Sequence, residues 1–284
     1  MASTSSPNES ETTIFRKAVE QWWAVKNAPR KKKAKKQGGT RDKVVGGKHL
    51  NGFADTVTAF LISLGVNKND IYTGGQLAKQ PALLPSYYRP SKAWDLIVVG
   101  SSRFHSPVAI SARQAGQEIH PSLYVAIEFK SQDKSIGNNQ NNRLEESLGN
   151  ALDFWTTYES SGFAKVSPRP WLGYLFIGKY AAGDKKQVKI RQPHFLTNAV
   201  FRGDDSAYRE EESFKGPTYA ERYQLFLRQA VAKRLYDAGS FLITDETLIG
   251  KKLNYSIPIP EFGPGNFMRS LKAHIEAHYP IKKG

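Results

Sequence analysis

The segment Leu123-Tyr124-Val125-Ala126-Ile127-Glu128-Phe129-Lys130 decides how this chain of 284 residues is read. It is a short apolar run with β-branched residues, the signature of a buried strand. Strand side chains alternate, so Leu123, Val125, Ile127 and Phe129 are expected on one face and Glu128 and Lys130 on the other. A core strand rarely carries two charges on one face unless they pair or bind something, because an unpaired buried charge is costly. One other acid-x-Lys triplet exists, Asp184-Lys185-Lys186, in the polar turn sequence AAGDKKQ with no strand around it.

Upstream, Trp94 to Gly100 (WDLIVVG) reads as a neighbouring strand with Asp95 near its start; downstream, Trp171 to Gly178 (WLGYLFIG) reads as another. Between the last two strands, residues 143–158 put Leu144, Leu148, Ala151, Leu152 and Trp155 at helical spacing. Strand, helix, strand implies a parallel crossover and an α/β fold. Further helices are predicted over 13–27 (Phe15, Val19, Trp22, Trp23) and over 48–65, ended by Gly65. Two more are predicted, from Thr218 to Tyr236 and from Asn266 to His278. The expected organisation is a disordered tail over 1–12, N-terminal helices over 13–65 around a basic loop at 30–43, and a main domain over 66–284.

Asp95, Glu128 and Lys130 suggest metal-assisted phosphodiester hydrolysis, which would make 66–284 a nuclease domain. Hard cations such as Mg²⁺ take oxygen ligands and keep waters, so two carboxylates and a backbone carbonyl, here that of Phe129, make an open site for a phosphate oxygen. The cation polarises the phosphoryl group while a lysine orients water or offsets developing charge. The alternative is a structural ion pair of Lys130 with Glu128 or Asp95.

Composition points to the same polyanion. Forty-one Lys and Arg against 26 Asp and Glu give +15, of which +8 falls in residues 1–50. The run Arg30, Lys31, Lys32, Lys33, Lys35, Lys36 is expected to touch phosphates nonspecifically, or merely to solubilise. Without cysteine there are no disulfides, thiolate metal sites or cysteine nucleophiles. The polar start MASTSSPNESETT lacks a signal-peptide core, and no run approaches the roughly 18 apolar residues of a spanning helix, so a cytoplasmic protein without membrane contact is expected. His274 and His278 share a helix face but lack a third ligand, and GGKH at 46–49 is not a phosphate loop.

The stretch EFKSQDKSIGNNQNNRLEESLGNALDFWTTY resembles the XhoI family of type II restriction endonucleases. Matching features over 92–155 are the W-D strand, A-I-E-x-K-S-Q, the Asn-rich GNNxNNR segment and an E-E-x-x-G-x-A helix, with Trp94 where a proline is often found and an apparent insert over 101–122. The resemblance implies a PD-(D/E)xK core, a central mixed sheet flanked by helices, with an N-terminal helical and basic extension. It also implies Mg²⁺ dependence, a homodimer, double-strand cleavage of a palindrome such as C-T-C-G-A-G with 5′-phosphate products, a cognate DNA methyltransferase and a prokaryotic host. Asp95 and Glu128 become metal ligands and Lys130 the catalytic lysine. Two alternatives stay open: another nuclease of the same core, for repair or junction resolution, and a noncatalytic basic DNA-binding protein.

Ser131 and Gln132 follow the catalytic strand and are expected to reach DNA. Asn138, Asn139, Gln140, Asn141 and Arg143 carry groups suited to base edges or phosphates, although Asn142 and Glu145 also fit a helix capping box. Glu145 and Glu146 are candidate accessory acids or helix-dipole partners; Asp55 reads as an exposed helix residue.

Overall fold

The computed structural model describes residues 12–27, 48–74, 82–100, 122–133, 136–160, 169–179 and 217–281. The basic run at 30–36, the insert over 101–121 and the second triplet at 184–186 lie outside them. Helix α1 (Arg16–Asn27) and a 3₁₀ turn at Lys48–Leu50 precede α2 (Asn51–Ser63). Then come β1 (Ile71–Thr73), β2 (Leu83–Leu84), β3 (Lys92–Ala93), β4 (Leu96–Gly100), β5 (Ser122–Gln132), α3 (Ile136–Glu159) and β6 (Trp171–Lys179). Helix α4 (Tyr219–Ala232), β7 (Ala238–Thr244) and α5 (Pro264–His278) complete the order.

Five strands form one mixed sheet in the order β1-β4-β5-β6-β7. β4 pairs antiparallel with both β1 and β5, whereas β5, β6 and β7 run parallel. The crossover inferred from residues 123–178 is present, carried by α3. β7 was not anticipated: AGSFLIT is buried on both faces and so shows no alternation.

Each sheet face is covered. Phe15, Trp22, Phe53, Val57 and Leu61 of the N-terminal segment share one apolar cluster with Val125, Ile127 and Phe129 and with Phe267 and Leu271 of α5. The opposite face packs Ile97, Ala126, Tyr174 and Phe176 against Phe154 and Trp155 of α3 and Tyr223 and Leu227 of α4. The expected alternation breaks once. Val98 pairs with Val125 but Val99 with Leu123, so Tyr124 is the extra residue of a bulge and Leu123 joins the Glu128 face.

Two helix boundaries differ from expectation. α3 begins at Ile136, so the Asn-rich segment is helical rather than a loop, and Asn142 does not cap it. Contacts to α4 override the weak helix propensity of asparagine: Gln140 Nε2 donates to the Tyr219 carbonyl (2.7 Å), while Arg222 donates to Gln140 Oε1 (3.0 Å) and Asn141 Oδ1 (2.8 Å). α4 starts with a capping box of Thr218 and Glu221. It stops short of Tyr236 because Arg234 is left-handed, at φ 56.

The indole of Trp23 donates to Thr244 Oγ1 at the end of β7 (2.9 Å), and Trp22 is fully buried. These contacts make α1 part of the sheet's core. Trp22→Ala should lower unfolding free energy by about 3–5 kcal/mol in urea titration, and a chain lacking residues 1–27 should lose its cooperative transition; an unchanged midpoint in either would show that α1 is dispensable.

Candidate active site

The residue Asp95 precedes β4 and is locked there by backbone bonds. Its N–H donates to the Ile127 carbonyl (3.2 Å) and its carbonyl accepts from Gly74 N–H (2.6 Å). Gly74 is required at that approach: a Cβ there would lie 2.0 Å from the Trp94 carbonyl oxygen and 2.8 Å from Asp95 Cα. The side chain turns to β5, where Oδ2 accepts the Phe129 N–H at 2.7 Å. A strand residue's N–H and C=O leave by the same edge, so the Phe129 carbonyl faces the Asp95 side as well.

Glu128, 1% exposed, lies on the face of β5 that meets α3. Its Oε1 lies 3.0 Å from Lys130 Nζ and 3.4 Å from Lys92 Nζ, and accepts from Asn150 Nδ2 at 2.6 Å. The Tyr236 hydroxyl lies 2.9 Å from both Glu128 Oε2 and the Ser147 carbonyl; its one proton serves one of them at a time. Lys92 also stands 4.2 Å over the Trp94 ring. Lys130 reaches Glu146 Oε1 (2.9 Å), and Arg143 reaches Glu146 Oε2 (3.1 Å).

The two carboxylates are tuned in opposite directions. Burial pushes Asp95 up to about 6, opposed by the Phe129 N–H and reinforced by the charge of Glu128. Burial acts on Glu128 in the same sense, but the ammonium groups of Lys92 and Lys130 and the bonds from Lys130 and Tyr236 outweigh it and hold Glu128 below its ordinary value. For Lys130 burial favours the neutral amine, yet Glu128 and Glu146 win and raise it, so it stays an ammonium ion.

These groups surround a cavity of about 540 Å³ lined by Asp95, Glu128, Phe129, Lys130, Ser131, Arg143, Glu146, Asn150, Arg89, Lys92 and His49, among others. Asp95, Glu128 and Lys130 thus converge as the spacing implied. Ser131 is there too, its Oγ 2.7 Å from His49 Nε2. Burial, then Lys26, lowers His49 to about 4, so the ring is neutral. Gln132 is buried outside the cavity lining. Gln140, expected to face DNA, is fully buried and joins α3 to α4, and Asn141 is engaged by Arg222. Asn139 and Glu145 are exposed, and the side chain of Asn138 lies outside the described residues.

Sequence reasoning missed Lys92, His49, Arg89, Asn150 and Tyr236. Asn150 was findable, since Glu146, Asn150 and Asp153 follow a helical spacing on the face of α3 toward β5. Tyr236 arrives from a distant turn, and nothing local marks it. Among the described residues no group of three or more His, Cys, Asp or Glu forms a metal cluster, and no helix is long and apolar enough to cross a membrane.

Comparison with known proteins assigns the family. The family described as restriction endonuclease XhoI matches residues 29–256. The type II restriction enzyme BstVI of Geobacillus stearothermophilus is 35% identical over 241 residues, 84% of this chain and 92% of the relative. The type II restriction enzyme XhoI of Xanthomonas vasicola is 29% identical over 223 residues, 78% of this chain and 75% of the relative. AbrI of Azospirillum brasilense, another type II restriction enzyme, is 34% identical over 149 residues, covering 52% of this chain and 56% of that one. No solved structure matches the chain. A match across most of its length and a relative sharing a third of its residues make the chain a member of the XhoI restriction endonuclease family, the type II enzymes that are site-specific deoxyribonucleases.

Proposed function

We propose that the protein cuts both strands of duplex DNA at a short palindrome, C-T-C-G-A-G or a relative, by the PD-(D/E)xK mechanism, as a cytoplasmic homodimer in a prokaryote that also carries the protecting methyltransferase. One observation carries this reading: Asp95, Glu128, Lys130 and the backbone of Phe129 meet in one cavity. Type II restriction endonucleases generally use divalent metal ions, and the donor set here fits Mg²⁺. Two carboxylates and a strand carbonyl are hard oxygen donors, and a carboxylate raised to about 6 beside another is a position that a cation relieves. Asp95, Glu128 and the Phe129 carbonyl would hold it; when bound it supplies the Lewis acid for the scissile phosphoryl group.

The chain's own groups do the rest. Asn150 and Tyr236 fix the Glu128 carboxylate. Lys130, held as a cation by Glu128 and Glu146, offsets charge building on the phosphoryl oxygens and orients water. Attack by water forms one P–O bond as the bond to the 3′ oxygen breaks; that oxygen takes a proton and the 5′ side keeps the phosphate. Ser131, Arg143, Asn139 and the basic run Arg30 to Lys36 are proposed DNA contacts, and Glu146, with Glu145 beside it, the accessory acid.

Plasmid and phage DNA incubated with Mg²⁺ should yield discrete fragments that EDTA or Glu128→Ala abolishes. Smears or nicks would point to a less specific nuclease of the same core, and DNA that is shifted in a gel but uncut would identify a noncatalytic binder. Lys130→Met should bind DNA within a few-fold of wild type while cleaving on the order of 10²–10³ times more slowly; normal cleavage would remove Lys130 from the mechanism. Asp95→Asn should stop cleavage and also stabilise the metal-free protein. Because folding raises the Asp95 pKa from 3.8 to about 6, its stabilising contribution is complete below about 4 and lost as pH rises through 6. In EDTA at pH 8 the asparagine variant should melt several degrees higher, with the gap closing by pH 4; equal melting at both pH values would contradict the assigned strain.

A further inference from the structure

The segment Pro85-Ser86-Tyr87-Tyr88-Arg89-Pro90 lies between β2 and β3, and its Arg89 lines the cavity. It carries no acid, and its two prolines restrict the chain before folding. A single buried carboxylate on α3 pins it: Asp153 accepts from Ser86 Oγ (2.5 Å), Tyr87 N–H (2.9 Å), Tyr88 N–H (3.1 Å) and Arg89 Nη2 (3.2 Å). Such a clamp normally fixes a turn so that its side chains can pack, yet here Ser86 is buried while the three residues after it are not. Tyr87 and Tyr88 are 56% and 65% exposed, with ring centroids 4.9 Å apart, and the side chain of Arg89 is 49% exposed.

A backbone held this firmly to display two aromatic rings and a guanidinium suits a ligand that offers both apolar surface and negative charge. Duplex DNA does so along its backbone: deoxyribose and base edges give the rings a surface to lie against, and the arginine fork matches phosphate. Arg89 is placed for it. Its Nη2 also donates to Asn150 Oδ1 (3.1 Å), whose own amide holds Glu128, while its Nε and Nη1 have no partner among the described residues.

We propose that the 85–90 turn is a DNA-contacting element, in which Arg89 takes a backbone phosphate at the mouth of the cavity, Tyr87 and Tyr88 lie against the neighbouring sugars and bases, and Asp153 is their positioning residue. The assignment rests on the nuclease reading of the same cavity, and it names a part of the substrate site that the Asp95, Glu128 and Lys130 constellation does not.

The test is cleavage of plasmid DNA in Mg²⁺ together with anisotropy of a labelled duplex carrying C-T-C-G-A-G. The double variant Tyr87→Ala/Tyr88→Ala should melt as wild type does, since both rings are exposed. It should raise KM at least tenfold and change the rate at saturating DNA less than threefold. Arg89→Ala should reduce the slope of log affinity against log salt by about one. Adding Asp153→Asn to a variant that already lacks all three side chains, Tyr87→Ala/Tyr88→Ala/Arg89→Ala, should raise KM no further, because Asp153 acts only through them; an additive rise would overturn the positioning role. An unchanged KM in the tyrosine variant of a cutting enzyme overturns the proposal and leaves the nuclease reading intact. A change in mass by light scattering with unaltered DNA affinity overturns it in favour of a second copy of the chain. A wild type that neither cuts plasmid nor binds the duplex overturns both.

Discussion

A carboxylate with almost no exposed surface sits in the middle of a sheet, and much of the molecule is arranged to keep it charged. Removing one partner of such a buried group strands the other at several kcal/mol, so Glu128 needs Lys92 from β3, Lys130 from β5, Asn150 from α3 and Tyr236 from the turn before β7 at once. Four regions spread over 145 positions of sequence are tied to one functional group. The folding of the sheet and the assembly of the site are therefore the same event.

Asp95 shows the opposite treatment a few ångströms away. Its carboxylate accepts the Phe129 N–H but is buried and feels the charge of Glu128, so the folded protein carries it at a disadvantage near neutral pH. Strain of this kind at a candidate functional position is where activity and stability trade against each other. Around it the cavity opposes Arg89, Lys92, Lys130 and Arg143 to Asp95, Glu128 and Glu146, so the basic character of the whole chain is nearly balanced at this one place.

How much was legible depended on range. The β5 pattern, the crossover and the Asp95, Glu128 and Lys130 set were readable because each rests on spacing within a strand or helix. The start of α3 was misread because asparagines look like a loop until Arg222, eighty residues away, bonds to Gln140 and Asn141. β7 was invisible because a strand covered on both faces has no polar side to betray its period. Lys92 and His49 were in plain view, but their meaning came only from what lay opposite them in space.

The bulge at Tyr124 bears on how such a chain tolerates change. In a regular strand, a slip of one residue would turn Glu128 into the apolar layer beside Phe53 and swing the Phe129 side chain to the face that meets α3. The extra residue sits between the long connection over 101–121 and the end of β5 that carries Glu128 and Lys130, where it can absorb a shift in register. Connections of different length from related enzymes could then be grafted upstream of Val125 with the acid and lysine still aimed as they are, whereas a single insertion between Val125 and Glu128 would reverse them.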